Sequence, residues 1–450
     1  MSKQRTGVLI TSAVLLGSLL SVLPSFADSQ VRIVRLSAVQ GQVQIDRATG
    51  QGFEKAFINL PVIQGAKIRT GDNGFAEVEF EDASTLRITP GSTIEFAQLA
   101  LDDSGVKLST VDVQRGTAYV NFAAVKQNQL TLTFDREHLT LAKPTHLRLE
   151  VGHTKARVAV FSGDAQVAGP SGVVELEKKH SALFELTNQD QYTLAKNVEE
   201  GMYDSWDKQQ DQDQQRDLQK TAYNNSPYAY GMSDLSYYGS FSSIPGYGMM
   251  WQPFFTNMGW SPFMDGAWAF YPGMGYGWVS AYPWGWTPYH YGAWAFVPGY
   301  GWGWEPGGSW SGLNNMPTTA NVPAGFAPPR PPTTPVHGLV IVNRGPLGVP
   351  AMTASNRLMI RSGSAGLGIP RGSIQNLARV SQRAQQRGSA TVTLSAPPAP
   401  MAFAAAPSQG QSFGAPRPNS AQAPSFRPSA SSMPAPSASA GGVHSAGMHR

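Results

Sequence analysis

A duplicated block of aromatic residues constrains this chain more than any other feature. Gly259-Trp260-Ser261-Pro262-Phe263-Met264-Asp265-Gly266-Ala267-Trp268-Ala269-Phe270-Tyr271-Pro272-Gly273 aligns, at an offset of 26, with the stretch from Gly285 to Gly299, which holds Trp286, His290 and Trp294. Gly275-Tyr276-Gly277-Trp278 follows the first copy and Gly301-Trp302-Gly303-Trp304 the second. Ten of the eleven Trp fall between 251 and 310, and no Lys or Arg occurs between Lys220 and Arg330. A unit this small cannot bury a face by itself, so the copies must stack. Gly and Pro turn the chain, and each large ring supplies about 150–250 Å² of buried area. One or two hairpins per copy give a small aromatic-rich β-repeat module over residues 223–310. Its rings build the core. A second reading leaves one face open, with Trp260, Trp268, Trp278, Trp286, Trp294, Trp302 and Trp304 as platforms for the sugar rings of peptidoglycan or polysaccharide. Single-stranded nucleic acid would need cations beside such platforms, and that partner is excluded here.

Residues 28–195 alternate with the two-residue period of strands. Ala76, Val78 and Phe80 interleave with Glu77, Glu79 and Glu81, which predicts a half-buried strand with a solvated acidic face and room for a weakly held divalent cation. Leu86 and Ile88 flank Arg87, and Leu147, Leu149 and Val151 repeat the pattern. Roughly ten short strands with Gly, Asp, Asn and Pro turns predict a sandwich or β-solenoid-like module. Residues 196–222 read as a polar linker with helical character. The fold class is all-β.

Within the first module, Val39-Gln40-Gly41-Gln42-Val43, Gly65 to Gly71, Ala76 to Phe80, Asp82 to Ile88 and Pro90 to Ile94 resemble the FecR domain family. Arg115-Gly116-Thr117-Ala118-Tyr119-Val120 sits where that family has a glycine turn and an aromatic strand, and Val158 to Val167 completes the likeness over residues 31 to about 190. Ala83 stands where the family has glycine after Asp82, which predicts a relaxed turn. The region of Lys143-Pro144-Thr145 lacks the expected Gly-Thr pair. The resemblance implies a module whose relatives relay iron-uptake signals to a sigma factor through a cytoplasmic segment and a membrane helix. The aromatic block resembles a tryptophan-rich domain of unknown function that follows FecR-like modules in exported bacterial proteins.

Lys3 and Arg5, the apolar run from Val8 to Leu23, Pro24 and the small residues of Ser25-Phe26-Ala27 form a secretory leader, too short for a comfortable membrane span. Cleavage after Ala27 predicts a periplasmic or extracellular chain, its net charge lowered from +4 to +2. The sequence has no cysteine, which excludes disulfides, thiolate metal sites and cysteine nucleophiles. Residues 311–450 hold eleven Arg and no Asp, Glu or Lys. Their Pro, Ala, Ser and Gly content predicts a largely disordered tail, with a short strand at 338–343, a helix at 373–387 and at most peripheral membrane contact through its arginines.

No constellation for catalysis stands out. The glycines from Gly363 to Gly368 lack the Gly-Lys-Ser/Thr ending of a phosphate loop. His146, His153 and His290 lack metal-ligand spacing. A two-carboxylate hydrolase would have to bring Asp265 and Glu305 together. The reading is therefore an exported, non-catalytic scaffold or binding protein, without cofactor or metal, that contacts polysaccharide, peptidoglycan or another envelope protein. The alternative is an extracytoplasmic sensory or regulatory component whose FecR-like module contacts a membrane partner.

Overall fold

The computed structural model describes residues 32–125, 128–170, 172–187, 191–220, 230–345 and 357–395. The leader expected at 1–27 and the tail beyond 395 lie outside the described residues. Strands hold 46% of the chain and helices 12%, so it is mostly β, as the alternation requires.

Seventeen strands between Val34 and Ala195 form two sheets facing each other across one apolar core. The first sheet runs, in pairing order, Pro61–Val62, Val34–Gln40, Phe75–Glu79, Thr85–Ile88, the second half of Lys107–Phe122, Thr145–Val151, Lys155–Ser162, Ser181–Glu185 and Tyr192–Ala195. The second is built around Val43–Asp46, Lys67–Thr70, Thr93–Leu101, the first half of Lys107–Phe122, Gln129–Phe134, Glu137–Leu141 and Ala165–Gly169. The long strand belongs to both sheets and changes over at Gly116. There φ is +94°, and an added Cβ would lie 2.5 Å from the Cα of Ser92, so only glycine fits.

The alternation appears in the core. Val78, Leu86, Ile88, Val120, Leu147 and Leu149 point inward and are buried. Their neighbours Glu77, Glu79, Arg87, Tyr119 and Arg148 point the other way and are also buried. Two helices cover that outer face: α1, Asp204–Gln219, and α2, Met232–Tyr238. The segment read as a polar linker is thus mostly helix, packed onto the sheet.

The aromatic module contains three copies of one hairpin rather than two. The strand pairs are Gly239–Ile244 with Gly248–Pro253, Gly266–Tyr271 with Gly275–Ser280, and Tyr291–Val297 with Gly301–Trp310. Each turns through Pro-Gly: Pro245-Gly246, Pro272-Gly273 and Pro298-Gly299, the glycines at φ +81°, +79° and +78°. The amide of the next residue bonds back at 2.9–3.1 Å, as a type II turn demands. In every copy a Trp on the second strand lies against a glycine at the head of the first: Trp251 on Gly239, Trp278 on Gly266, Trp304 on Gly292. The first copy shares only this skeleton with the other two, and so the offset of 26 misses it.

The chain stays folded past 310. Leu339–Val342 pairs with Gly266–Tyr271, and Arg357–Arg361 pairs with Ser389–Thr393. Helices α3, Thr287–His290, and α4, Leu377–Arg387, complete the described elements. Of the stretch expected as a tail, residues 311–345 and 357–395, with strand Leu339–Val342 and helix Leu377–Arg387, are described and pack on the aromatic core, while the remainder lies outside the described residues. The aromatic core supplies the apolar area that the segment lacks: Ile360, Ala365, Ile369, Ile374, Leu377, Val380 and Ala384 all bury into it. The glycine cluster near Gly363 is part of this plug, with the amide of Gly363 donating to the Phe255 carbonyl and the Trp284 indole N–H to the carbonyl of Ala365 at 2.7 Å.

Ala83 does not relax its turn. It sits at φ +65°, with its amide donating to the Phe80 carbonyl at 3.0 Å, in the left-handed region that costs a side chain about 1–2 kcal/mol. Ala83→Gly should therefore raise unfolding stability by about 1 kcal/mol in urea titration. Gly266→Ala should lower it by about 1–3 kcal/mol, because the new methyl would lie 2.3 Å from the Trp278 ring. Gly273→Ala, at a turn with open space around it, should lower it less, by about 1 kcal/mol.

Candidate functional site

The outer face of the first sheet is a cross-strand ladder of charge. Strand register places Glu77 opposite Arg87, Arg87 opposite Tyr119 and Tyr119 opposite Arg148, with Arg35 opposite Glu79. Helix α1 lays Asp204, Asp207, Asp211 and Gln214 on this ladder, at the 3-4-3 spacing of one helical face. The Arg87 guanidinium donates to Asp207 and Asp211 at 2.8 Å each and to Glu77 at 2.8 Å. Arg148 and the Tyr119 hydroxyl bond Asp204, and Asn121 bonds Asp211. His146 Nε2 lies 2.7 Å from Asp207.

The ladder continues into the aromatic module. Arg35 bonds Glu79 at 2.7 Å and also Asp234 of α2, and the amide of Gly231 donates to Glu79. Arg371, which lies 294 residues beyond Glu77, bonds it at 2.6 Å and reaches Asp234 at 3.3 Å. Beside these groups a cavity of about 100 Å³ lies between the first sheet, Trp206 of α1, Tyr238 of α2 and Pro370.

The electrostatics follow from this geometry. Burial alone would push Glu77 up, but Arg371 and Arg87 together hold its carboxyl well below the usual carboxylate range. Burial likewise opposes ionisation of Asp207, and the bond from His146 with the charge of Arg87 brings it down. Burial pushes Glu79 up; Arg35 opposes this and the Asp234 carboxylate, bonded to the same guanidinium nitrogen, adds to it. Most of these groups are bonded to one another, so the cluster can lock two modules together.

Glu77, Glu79 and Glu81 are accordingly not a solvated acidic face, nor a cation site. Each is buried against arginine, Glu81 on Arg32 at 2.8 Å. Among the described residues no group of three His, Asp or Glu is placed to hold a metal. The spacing of acids along 204–214 was a legible sign of a charged helix face. The opposing arginines were visible only as the polar half of strand alternation, and Arg371 gave no local signal at all.

The seven tryptophans offered as sugar platforms are all core residues, none more than 3% exposed. Trp294 and Trp304 donate their indole N–H groups to the carbonyls of Pro288 and Tyr291 at 2.9 and 2.8 Å. Trp284, absent from that set, sits at the centre of the core and meets Trp251, Trp260 and Trp294 at 4.9–6.1 Å, with Tyr282 stacked on it at 5.0 Å. A buried ring has no face to offer a sugar. His290 lies between Trp286 and Trp310, and burial holds its imidazole down at about 4. Asp265 is buried and bonded by the Tyr282 hydroxyl and by Arg344, whereas Glu305 is exposed on the third hairpin.

Residues 66–166, which lie within the two stacked sheets, match the family described as FecR protein. Residues 232–332, the three hairpins with their flanks, match a family of unknown function, DUF6600. No curated protein matches the chain. Among solved structures, two crystal structures of a candidate anti-sigma factor from Parabacteroides distasonis ATCC 8503, at 2.50 and 1.65 Å resolution, align with 14% identity and a TM-score of 0.27. The alignment covers 31% of this chain and 63% of theirs. A likeness at that level carries no functional inference.

Arg371→Gln should lower stability by about 3 kcal/mol, the cost of removing one cation from a buried cluster in which Glu77 keeps only Arg87 and Asp234 only Arg35. Arg379→Gln, on the surface, should change it by less than about 0.5 kcal/mol. Urea unfolding followed by tryptophan fluorescence separates the two. The depressed carboxyls of Glu77 and Asp207 stabilise the fold above the ordinary carboxylate range. That contribution is lost as pH falls below about 4 toward their folded-state values. Glu79, shifted up, acts with the opposite sign and offsets part of the loss. The melting temperature should therefore stay level from neutral pH to mild acid and drop steeply only in stronger acid.

Proposed function

We propose that this chain is an extracytoplasmic, non-catalytic regulatory or sensory component, and that its FecR domain contacts a protein partner in the envelope. The observation that carries the reading is an open sheet edge on that domain. Helices α1 and α2 close the outer face of the first sheet, but its last strand, Tyr192–Ala195, pairs among the described residues only with Ser181–Glu185. Tyr192 and Leu194 are exposed there, at 39% and 52%. Such an edge presents unpaired backbone groups and apolar side chains to which an extended segment of another protein can add. The FecR match supports a regulatory setting for that contact. The buried positions of all seven candidate tryptophans weigh against sugar stacking.

A photo-crosslinking residue at position 194, introduced in the native cells, should yield one discrete protein adduct. The same probe in place of Met249, exposed on the first aromatic hairpin, should yield none. Equal labelling from both positions would defeat the proposal, as would retention of the purified chain on peptidoglycan without any adduct at 194.

A further inference from the structure

We propose that the lobe formed by residues 357–395 is a cationic docking surface for an anionic phospholipid bilayer, independent of the partner contact at the FecR edge. Helix α4 buries Leu377, Val380, Ser381 and Ala384 in the aromatic core and leaves Arg379, Arg383 and Arg387 exposed. These recur every fourth residue, so they form one stripe with steps of about 6 Å. Strand Arg357–Arg361 buries Ile360 inward and turns Arg357, Met359 and Arg361 outward. Pairing sets Arg361 opposite Ser389, two residues past Arg387, and the Ser362 amide donates to the carbonyl of Gly388 at 3.0 Å. The strand arginines therefore adjoin the end of the helix stripe.

None of these five guanidinium groups has an ion-pair partner among the described residues, whereas Arg344 and Arg371 of the same segment bond Asp265, Glu77 and Asp234. No Asp or Glu occurs anywhere from 311 to 450, and the acids that reach the lobe from other segments, Glu77 and Asp234 at Arg371 and Asp213 at Gly372, are buried. The fold pairs Arg344 and Arg371 and gathers five other arginines on one lobe, beside an aromatic module whose sequence from 221 to 329 contains no cation. Self-repulsion of that kind is relieved by a facing anion.

One observation favours a lipid surface over a soluble polyanion. Met359, 57% exposed between Arg357 and Arg361, gives the pairing of apolar and cationic groups suited to a headgroup boundary.

The chain purified from its native cells should bind vesicles of phosphatidylcholine doped with phosphatidylglycerol, and binding should fall as salt rises past about 0.1 M. The combined variant Arg357→Gln, Arg361→Gln, Arg379→Gln, Arg383→Gln, Arg387→Gln should lose at least about tenfold in partitioning, since each cation near such a surface contributes measurably. An unchanged melting temperature would show that it remains folded. Arg417→Gln with Arg427→Gln, outside the described residues, should bind as the parent does. Met359→Ser should weaken binding by about two- to fivefold. Full binding by the five-residue variant would overturn the proposal. Retention on heparin without vesicle binding, or unchanged vesicle binding by Met359→Ser, would overturn the lipid assignment in favour of a soluble polyanion.

Discussion

Arg87 and Arg371 hold the two halves of this protein together. Arg87 is buried and Arg371 nearly so, and both bond the Glu77 carboxylate, one from the neighbouring strand and one from near the end of the described chain. Taking such groups out of water costs several kcal/mol per ion, and their mutual attraction repays it only when every oxygen and nitrogen is well bonded. Here most are: Glu77 also accepts from Ser37, and Asp211 also accepts from Asn121. A cluster of this kind adds little net stability over an apolar contact. It does make the arrangement unforgiving, because shifting α1 or α2 by one residue would strand a buried charge.

The aromatic module solves a different problem. Its strands are short, and Gly and Pro are frequent, so ordinary aliphatic packing would leave it thin. The repeated answer is an indole laid across a glycine on the partner strand, once per hairpin. Removing the Cβ lets the ring lie close to the backbone, and edge-to-face contacts among Trp251, Trp260, Trp268, Trp278 and Trp284 fill the rest. The second hairpin also reaches the FecR domain. The Tyr271 hydroxyl donates to the carbonyl of Pro61 at 2.8 Å, Arg47 donates to the carbonyl of Phe270, and Asn59 donates to those of Ser280 and Tyr282. The two matched families are therefore joined by apolar and ionic contacts alike, within one compact unit.

Alternation of apolar residues marked the strands well, since Val78, Leu86, Val120 and Leu149 need the same side of a sheet whatever covers the other. The polar half of that alternation was read as solvated, because a strand carries no record of what lies on its second face. Glu77, Glu79 and Arg87 look like surface residues until Asp207, Asp211 and Asp234 arrive from helices more than a hundred residues away. The same limit hid the role of 357–387. Its composition cannot close a core by itself, but the aromatic module lends it one.

The sequence by itself determined the β character of both modules and their turns at Gly and Pro, because those depend on periodicity and local sterics. Tertiary structure alone decided which faces are dry. It turned seven tryptophans inward, converted an acidic strand into the partner of four arginines, and left five other arginines outside. Burial of a charged or aromatic group is set by what packs against it from distant parts of the chain, and no local pattern encodes that.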